Sequence, residues 1–537
     1  MADEHDGEDE EKVPGQPSGP NLIVFPGGRG QSDNGKPSRR PDRSAPQLEG
    51  FGALEALLSA AKPPEKDVDR LRRLADEHLG VCRHEGRAYV FMRKQSQAEA
   101  WSAHSTRTAD VLHDLFDRDS GRLLAPATIN AVWRHLKRKA NQAGPGAVGR
   151  RWCAHGGNIY LDLRDPDGRY VEIDERGWRL TSSPPVRFEK LANMAPLPVP
   201  VSGGSIELLQ RYVNVPDADD FHLVVSFVIG CMVPGLPFPV LQITGGHGTA
   251  KTETACFIMR LIDPQVEDPG GLPTNETNLF IAAAQDYLPV FDNVSFLSPQ
   301  HSDAICRVTT GGSHRGRKYT TNGEQHIIPA HAPVIITGID SVIGRPDLSS
   351  RAITIRLPPI EKHRPLAQLL NAFERDRPKI LGALLDMLSH ALRNRATTTV
   401  ESDHRLADFA VIASAAETYY REAGSFARAL EANRLSQNDD LLDHDPVIDM
   451  VVRFVQAKGS FKGTATELLG TLLQVFRDEI GFKRILPGAP HHLSRHLNSK
   501  ESLLSFNGIV MEQSREGIGG TRIIALRPAP PVGPQRQ

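Results

Sequence analysis

One short segment near the middle of the chain limits its fold more than any other. The apolar run Val240–Thr244 is typical of a buried strand, and a glycine-rich loop and the helical pattern TETACFIMRLI follow it at once. The loop consists of Gly245, Gly246, His247, Gly248, Thr249, Ala250, Lys251 and Thr252. In such an arrangement backbone N–H groups and a helix N-terminus converge on phosphate, while the lysine adds a positive charge. The segment therefore predicts a phosphate-binding loop within an α/β fold.

The loop departs from the usual pattern at one position. Ala250 occupies the place of the second glycine in GxxxxGK[ST]. Its methyl group is tolerated where the backbone keeps a negative φ, and it costs more where φ is positive. Because glycines also form plain turns, the loop indicates a nucleotide site only if a second strand ends in a carboxylate.

Such a strand follows the loop. The apolar run Tyr287–Phe291 ends in Asp292, which is 41 residues after Lys251 and is suited to hold Mg²⁺ beside Thr252. The two motifs predict ATP and Mg²⁺ as cofactors; the alternative is an aspartate that only caps a turn. The next residue, Asn293, stands where an acid usually deprotonates the attacking water, and an amide cannot take that proton. Hydrolysis is therefore expected to be slow, or to depend on an acid from another loop.

The net charge of −2 conceals two opposing segments. Residues 1–12 hold seven acids and one base, so the rest of the chain is mildly basic, at +4. Near-neutrality therefore does not exclude nucleic acid as a partner, but tight charge-driven binding would need a ring that encloses the strand. The densest basic cluster has no acid between Asn130 and Trp152 and contains Arg134, Lys137, Arg138, Lys139, Arg150 and Arg151. A helix would place Arg134, Lys137 and Arg138 on one face, either to follow phosphates or as an ordinary solvated face.

Length and composition favour a soluble protein of several domains. At about 150 residues per domain, 537 residues correspond to three or four. The five cysteines, Cys82, Cys153, Cys231, Cys256 and Cys306, lie far apart, which favours a reducing compartment. The longest apolar stretch, Leu223–Ile243, is broken by glycines and prolines, and the acidic N-terminus does not resemble a signal peptide. The chain is therefore expected to be cytoplasmic, without membrane contact.

Further motifs follow the carboxylate strand. The run Val308–Gly312 (VTTGG) leads into the basic segment Ser313–Tyr319 and then, after a polar hairpin, into the apolar run Val334–Gly338. This order resembles the superfamily 3 branch of AAA+ helicases. More closely, Ile243–Leu392 resembles ATP-binding proteins of bacterial phages, plasmids and integrative elements. The shared runs are LIDP (261–264), ETNLFIAA (276–283), FDN (291–293), RPDLSSRAITIRLPPI (345–360) and RPKILGALLD (377–386). A resemblance in the flanks extends the match to about residues 85–526.

The resemblance implies roles for the residues that match it. Lys251 and Thr252 would bind the phosphates and Mg²⁺, and Asp292 would complete the metal site. Thr337 falls where the family has a polar sensor residue, usually asparagine. Arg351 matches the arginine that similar ATPases present to the γ-phosphate of a neighbouring subunit, and Arg345 is the reserve candidate. An arginine that acts on a neighbour requires a ring or filament, and the resemblance implies a hexamer.

The basic segment is a candidate nucleic-acid contact. Arg315, Arg317 and Lys318, beside His314 and Tyr319, place positive charge and an aromatic ring on a loop that faces the central channel in similar motors. This predicts contact with nucleic acid, of which single-stranded DNA is the expected form. The alternative is a surface loop with ordinary arginines.

The C-terminal segment has the pattern of a winged helix. Two helical stretches, the second opened by a Thr464–Glu467 capping box, precede a third helix after Pro487 and two strands around a glycine-rich turn. The third helix would present His492, Arg495, His496 and Lys500 to a groove, and Arg515 and Arg522 would lie on or near the wing. Because bases only slightly outnumber acids here, a role in protein contact stays open.

The chain is therefore predicted to be a multidomain α/β protein. Its core is a P-loop NTPase of the AAA+ type, with an N-terminal α+β domain and a C-terminal winged helix. The predicted segments are a disordered arm (1–47), a small α+β domain (48–200), the ATPase core (201–395), a helical lid or linker (396–440), the winged helix (441–526) and a disordered tail (527–537).

Two functions are consistent with these patterns. The first is an ATP-hydrolysing motor on DNA, a replicative helicase or initiator of a mobile element, that forms a homo-oligomer. The second is a slow ATP-dependent switch, a DNA-associated regulator or defence component, which Ala250, Asn293 and Thr337 favour. Priming is rejected for this chain: the candidate metal acids are Asp162, Asp165 and Asp167, and the last two lie in an ordinary turn. A separate primase or initiator remains a candidate partner.

Overall fold

The computed structural model describes residues 65–94, 98–317, 325–400, 405–443, 445–478, 485–516 and 520–529. The predicted arm over 1–47 lies outside these residues, and so does most of the predicted tail. The described residues from Lys66 onward group as one compact unit. Within the described residues, no helix combines the length and the apolar composition needed to cross a bilayer.

The N-terminal region combines three helices with two sheets. Its elements are α1 (Asp67–His78), β1 (Leu79–His84), β2 (Arg87–Met92), β3 (Glu99–Ser102), α2 (Thr106–Ser120), α3 (Pro126–Gln142), β4 (Val148–Gly149), β5 (Trp152–His155), β6 (Asn158–Asp162), β7 (Tyr170–Asp174), β8 (Gly177–Thr181) and β9 (Arg187–Glu189). One sheet has the order β1-β2-β3-β9-β4, with β9 parallel to both of its neighbours. The other is the antiparallel meander β5-β6-β7-β8. The helices form because leucines and valines recur on one face, as with Val132 and Leu136 of α3, and that face packs against β1 and β2.

A parallel sheet follows, and it carries the glycine-rich loop. Its region contains α4 (Ala218–Cys231), β10 (Val240–Thr244), α5 (Lys251–Ile262), α6 (Glu276–Gln285), β11 (Val290–Phe291), α7 (Pro299–Thr309), β12 (Gly312–Arg317), β13 (Gln325–Ala330), β14 (Val334–Thr337), α8 (Pro346–Ser349), β15 (Ala352–Arg356) and α9 (Leu366–Asn394), after a 3-10 turn at Ile206–Arg211. The strand order is β11-β14-β10-β15, and all three pairs are parallel. All five residues of β10 are buried, as expected for the centre of a parallel sheet.

The core of the meander is continuous with that of the parallel sheet. Trp152, Leu161 and Val171 belong to the same buried cluster as Leu241 of β10 and Phe257 of α5. Residues 150–174 therefore pack on the core although they precede the boundary predicted at residue 200, which itself stays a prediction.

Two consecutive arginines link these layers from within. Arg151 is fully buried, and its Nε donates to Oδ1 of Asp263 at 3.0 Å. Arg150 donates to the carbonyls of Ala283, Asp286 and His331 at 2.7–2.9 Å. The sequence grouped both with the densest basic cluster, and in the structure their guanidinium groups donate to internal carbonyls and to one carboxylate.

The C-terminal region has the predicted helices and hairpin together with two short elements that the sequence did not suggest. After α10 (Ala407–Glu417) and α11 (Ser425–Asp443) come α12 (Pro446–Lys458), β16 (Phe461–Gly463), α13 (Ala465–Val475), α14 (Pro490–Ser499), α15 (Glu501–Phe506), β17 (Ile509–Glu516) and β18 (Thr521–Pro528). The unpredicted elements are β16 and α15. The three strands form an antiparallel sheet in the order β16-β18-β17 over one apolar cluster. The capping box at Thr464 and Glu467 is present as predicted.

Two details differ from the predicted segments. The helix α11 continues to Asp443, so the boundary expected between 440 and 441 falls inside a helix. β18 continues to Pro528 because it pairs with β17 as far as Ile509, so the first residues of the predicted tail belong to a strand.

Candidate functional site

The glycine-rich loop turns directly from the carboxyl end of β10 into the first turn of α5. Two glycines adopt positive φ, 148° at Gly245 and 74° at Gly248. Ala250 also has a positive φ, at 60° with ψ 39°, and it is the residue that precedes α5. A left-handed alanine costs about 1–2 kcal/mol relative to a relaxed conformation. The missing second glycine is therefore a real departure, since the loop keeps the left-handed conformation that glycine supplies at lower cost.

The lysine of the loop lies over the loop's own backbone. Lys251 Nζ donates to the carbonyl oxygens of Gly245 and Gly246, at 2.9 and 2.8 Å. Within the loop, Thr249 Oγ1 donates to the carbonyl of Gly246 at 3.0 Å. The ammonium group is thereby held against the backbone at the mouth of the loop.

Asp292 and Thr252 are in direct contact. Thr252 Oγ1 is 2.9 Å from Oδ1 and 3.1 Å from Oδ2 of Asp292, so the hydroxyl donates to the carboxylate. The backbone N–H of Asp292 donates to the carbonyl of Gly270 at 2.9 Å, which fixes the end of the short strand β11. The structure thus brings together the two residues that the sequence assigned to the metal.

Thr337 reaches the same carboxylate from β14, which lies between β10 and β11. Its Oγ1 donates to Oδ1 of Asp292 at 2.5 Å and accepts from the backbone N–H of Asn293 at 3.0 Å. Asn293 has a φ of 52°, and its side chain is exposed. The side chain of Thr337 is shorter than the asparagine usual at this position, but its hydroxyl group still contacts Asp292.

These donors match the preferences of magnesium and phosphate. A carboxylate and a hydroxyl 2.9 Å apart are the oxygen groups that a hard divalent cation prefers, and such ions usually keep several waters and contact phosphate. The ammonium of Lys251 and the helix N-terminus supply positive charge for the phosphates. The residues present therefore fit Mg²⁺ and a nucleotide.

The sequence interpretation missed a link on the other flank of the loop. Asn214 Nδ2 donates to the carbonyl of Thr249 at 3.1 Å and to the carbonyl of Pro358 at 2.7 Å. It thereby joins the loop to the segment that leaves β15. A lone asparagine between apolar residues carries no pattern, so no sequence signal would have identified it. A substituent at Gly248 would lie 3.9 Å from the imidazole of His363, which places the segment after β15 beside the loop.

Acids near Asp292 are the other group that the motifs did not reveal. Glu253 follows Thr252 in α5. Burial raises the pKa of its carboxyl group, and the negative charges of Asp268 and Asp292 raise that pKa further. The segment that contains Asp268 runs beside β11, where Gly270 forms a bridge to Phe291. Glu253 thus lies within electrostatic reach of Asp268 and of Asp292, the residue that precedes Asn293.

Arg351 is held within its own chain. Its Nη1 lies 2.7 Å from Oδ1 of Asp347, 3.0 Å from the backbone carbonyl of Asp347 and 3.6 Å from Sγ of Cys306. Asp347 also pairs with Arg405. Burial raises the pKa of Asp347, but hydrogen bonds from Arg351 and Cys306 and the charges of Arg351 and Arg405 outweigh it, so the pKa lies below its usual value. The reserve candidate, Arg345, pairs with Asp303 at 3.1 Å and is more exposed.

The basic segment forms the antiparallel hairpin β12–β13. Arg315 is exposed on β12 and Arg317 is its last residue, whereas Lys318 lies outside the described residues. At the base of the hairpin, His314 Nδ1 is 2.7 Å from Oε1 of Glu276, and Arg307 Nη2 donates to the same oxygen at 2.6 Å. The hairpin is thereby fixed to α6 and α7 at its base.

The C-terminal cations fall into two groups. Arg495 on α14 is exposed, and Arg515 and Arg522 are exposed and directly opposite each other on β17 and β18. His496 and Lys500, which the sequence expected to face a groove, instead lie 2.8 and 3.6 Å from the carboxylate of Asp445. Both side chains therefore contact the residue that precedes α12, and their predicted role at a groove stays a prediction.

The comparisons with known families match two adjacent segments. Residues 206–444 match the model described as actinomycete integrative conjugative element replication protein, and residues 447–535 match the AICE RepA C-terminal domain. The first segment contains the loop, Asp292, Thr337 and Arg351. The two matches meet where α11 ends and α12 begins.

No curated protein sequence matches the chain. Similar solved structures include SCCmec type IV Cch, described as an active helicase, at 11% identity and a TM-score of 0.42, covering 83% of this chain and 93% of that one. The C-terminal region of NrS-1 has 10% identity and a TM-score of 0.36, covering 86% and 100%. The JCV helicase has 16% identity and a TM-score of 0.21, covering 43% and 63%.

Together the two family models span more than half of the chain, in a continuous order. They relate this chain to the replication proteins of actinomycete integrative conjugative elements.

Proposed function

We propose that this protein is an ATP-hydrolysing motor of the AAA+ type that acts on DNA during the replication of a mobile element. The observation that carries the proposal is the contact of Thr252 with Asp292, 2.9 Å apart, beside Lys251 at the mouth of the loop. The match of residues 206–444 to a replication-protein family supports the DNA context.

The sheet order indicates how a nucleotide lies. Asp292 follows β11 and Thr337 ends β14 on one flank of β10, whereas Leu357 and the segment that follows it lie on the other, beyond β15. Thr252 and Asp292 would hold a metal on the β14 flank of β10, where it would supply positive charge to the phosphates. Asn214 and His363 border the loop on the β15 flank and would lie nearer the nucleoside.

Different residues of the chain would bind the nucleotide and promote its hydrolysis. The loop and Lys251 would bind the phosphates, and Thr252 and Asp292 would hold Mg²⁺, whose charge would stabilise the phosphate oxygens. Asn293 orients water, and Glu253 and Asp268 are the nearby acids able to take its proton. Arg351 acts on the γ-phosphate bound by a neighbouring subunit, which requires a ring, for which a hexamer is the expected size.

The DNA contacts are assigned to cations of the basic segment and of the C-terminal region. Arg315 and Arg317 of β12, together with Lys318, which lies outside the described residues, would follow a single strand through such a ring. The C-terminal region has the element order of a winged helix, with α14 and the β17–β18 wing offering Arg495, Arg515 and Arg522 to duplex phosphates. Two arginines directly opposite each other repel, and an anion between them relieves that repulsion.

The test is ATP hydrolysis by the purified full chain with and without single-stranded DNA. We expect DNA to stimulate turnover, Lys251→Ala to abolish nucleotide binding, and Arg351→Ala to reduce turnover at least about 100-fold while nucleotide binding is kept. Arg405→Ala is the matched control, because it also removes a partner of Asp347 but keeps Arg351. Absence of turnover with every nucleic acid tested would contradict the motor.

The second candidate is a slow ATP-dependent switch, and the exposed Asn293 at the position of the catalytic acid favours it. A switch predicts oligomers that form with ATP and persist without strand separation. The motor predicts that Asn293→Asp keeps or raises turnover, because a carboxylate there is able to accept the proton. Rapid unwinding of a forked duplex would exclude the switch.

A further inference from the structure

The basic cluster in the N-terminal region separates into an inner and an outer set. His135 and Lys139 of α3 both turn toward α1, where they lie 3.0 and 2.6 Å from Oδ1 of Asp76. Arg150 donates to internal carbonyls, and Arg151 pairs with Asp263. The outer set, Arg134, Lys137 and Arg138, shares the solvent face of α3.

The positive charges of this outer face have no carboxylate partner among the described residues. Among the described residues, neither Arg134 nor Lys137 lies within ion-pair distance of a carboxylate, and Arg138 is 3.4 Å from the imidazole of His135. Residues three and four apart on a helix are neighbours, so the three like charges repel one another and destabilise α3. The opposite face, with Ile129, Val132 and Leu136, is buried, so the charges are fixed in position by the packing of the helix.

The aromatic residue in the cluster faces inward. Trp133 is only partly exposed, packs against the core of the N-terminal region, and has its ring 6.0 Å from that of His104 in an edge-on arrangement. Its indole N–H is buried. Proteins that hold single strands offer exposed aromatic rings on which unpaired bases stack, and this face of α3 presents cations and amides instead, including Asn130 and Asn141.

We infer that the outer face of α3 is a docking surface for the phosphate backbone of duplex DNA. Arg134, Lys137 and Arg138 neutralise phosphates without reading bases, so the contact is independent of sequence and sensitive to salt. The surface is separate from the nucleotide site and from the hairpin. It gives the N-terminal region the role of holding the duplex while another part of the protein acts on a strand.

The experiment measures binding of the full chain to fluorescent duplex and single-stranded oligonucleotides of equal length, without nucleotide, at several salt concentrations. The test variant is Arg134→Glu/Lys137→Glu/Arg138→Glu. The control, Arg118→Glu/Arg176→Glu/Arg375→Glu, changes the net charge equally at three exposed arginines, which lie on α2, in the turn between β7 and β8, and on α9. The neutral variant Arg134→Gln/Lys137→Gln/Arg138→Gln covers the case in which charge reversal prevents folding, and circular dichroism checks all three proteins.

We expect the test variant to bind duplex at least about tenfold more weakly, with the logarithmic salt dependence flattened by up to about 2.7, or 0.9 for each lost phosphate contact. The neutral variant should flatten the slope in the same way, whereas the scattered control should weaken binding less than about threefold. Single-strand binding should change little. Equal losses in the test and control variants, or equal losses for duplex and single strand, would overturn the inference. Because no ATP is present, these outcomes do not depend on whether the chain hydrolyses it.

Discussion

At the residue scale, Ala250 at the mouth of the loop departs from the preference for glycine at positive φ. Ala250 adopts the left-handed conformation, with φ 60°, that glycine reaches without steric cost. The surrounding contacts, including Asn214 on Thr249 and Lys251 on two carbonyls, hold the loop in that shape. Strain at a site of this kind is maintained by the packing around it.

Ala250→Gly should therefore stabilise the protein by about 0.5–1 kcal/mol, because the relief of left-handed strain exceeds the greater backbone entropy of glycine in the unfolded chain. Urea denaturation measures the change. The control is Ala432→Gly, at an exposed position of the helix α11, and it should lower the free energy of unfolding by about 1 kcal/mol. A loss of stability in both variants would show that the loop does not strain Ala250.

The residues of the site were predictable where a motif spans a strand end. Lys251, Thr252 and Asp292 follow apolar runs, and parallel strands bring their carboxyl ends to one edge, so the sequence was able to place them together. Asn214, Glu253 and Asp268 were not predictable, because their proximity depends on how separate loops pack. Their roles, like those of the motif residues, stay predictions.

At the element scale, the joint between α10 and α11 depends on one buried carboxylate. Glu417 ends α10, and its two oxygens accept from the backbone N–H groups of Gly424 and Phe426 at 2.7 and 2.6 Å. Burial raises the pKa of Glu417, but the neighbouring His222 and these N–H groups outweigh it, so the pKa lies below its ordinary value of 4.5. The carboxylate thus serves as the N-terminal cap of α11.

Glu417→Gln should lower the free energy of unfolding by about 2 kcal/mol at neutral pH, because the amide carries no charge and turns its NH₂ group toward a backbone N–H donor. The pKa of Glu417 is lower in the folded protein than in the unfolded chain. The stabilisation by the wild-type carboxylate is therefore complete above pH 4.5 and is lost as the pH falls through the folded pKa. The difference between the two proteins should therefore shrink below pH 4.5. Thermal denaturation at pH 7 and pH 3.5 measures it, and a constant difference would contradict the assignment.

Helices and local hairpins were easier to predict than the sheets. The periodicity of α3 and α5 and the turn at Asp165–Gly168 are local, and the structure agrees with them. The pairing of β3 with β9 joins residues that are almost ninety positions apart, and no local pattern encodes it. β16 is only three residues long and exists because β18 offers it an edge.

At the scale of the whole molecule, the buried pair of Arg151 and Asp263 connects the meander to the core of the parallel sheet. Arg151 also donates to the carbonyls of Asp162 and Ala195, and Asp263 accepts from the backbone of Tyr287 and Leu288. Sequence composition does not distinguish such an arginine from a surface one, which is why it was grouped with a basic cluster.

Arg151→Met should destabilise the protein by about 3–5 kcal/mol, because it leaves the Asp263 carboxylate buried without its cation. Arg179→Met is the control: Arg179 pairs with Glu172 and Asp174 on the same meander but is 54% exposed, so its loss should cost less than about 1 kcal/mol. Denaturation followed by circular dichroism compares the two. Equal costs would show that the buried pair does not connect the layers.

The contact between Thr252 and Asp292 has one further consequence, which concerns direction. A hydroxyl group has one hydrogen and two lone pairs, and the hydrogen of Thr252 is committed to the carboxylate. The hydrogen of Thr337 is committed to the same carboxylate, while its oxygen accepts from Asn293. Thr252 therefore turns only lone pairs outward, so this edge of the loop presents an electron-rich surface that attracts a cation and repels another acceptor.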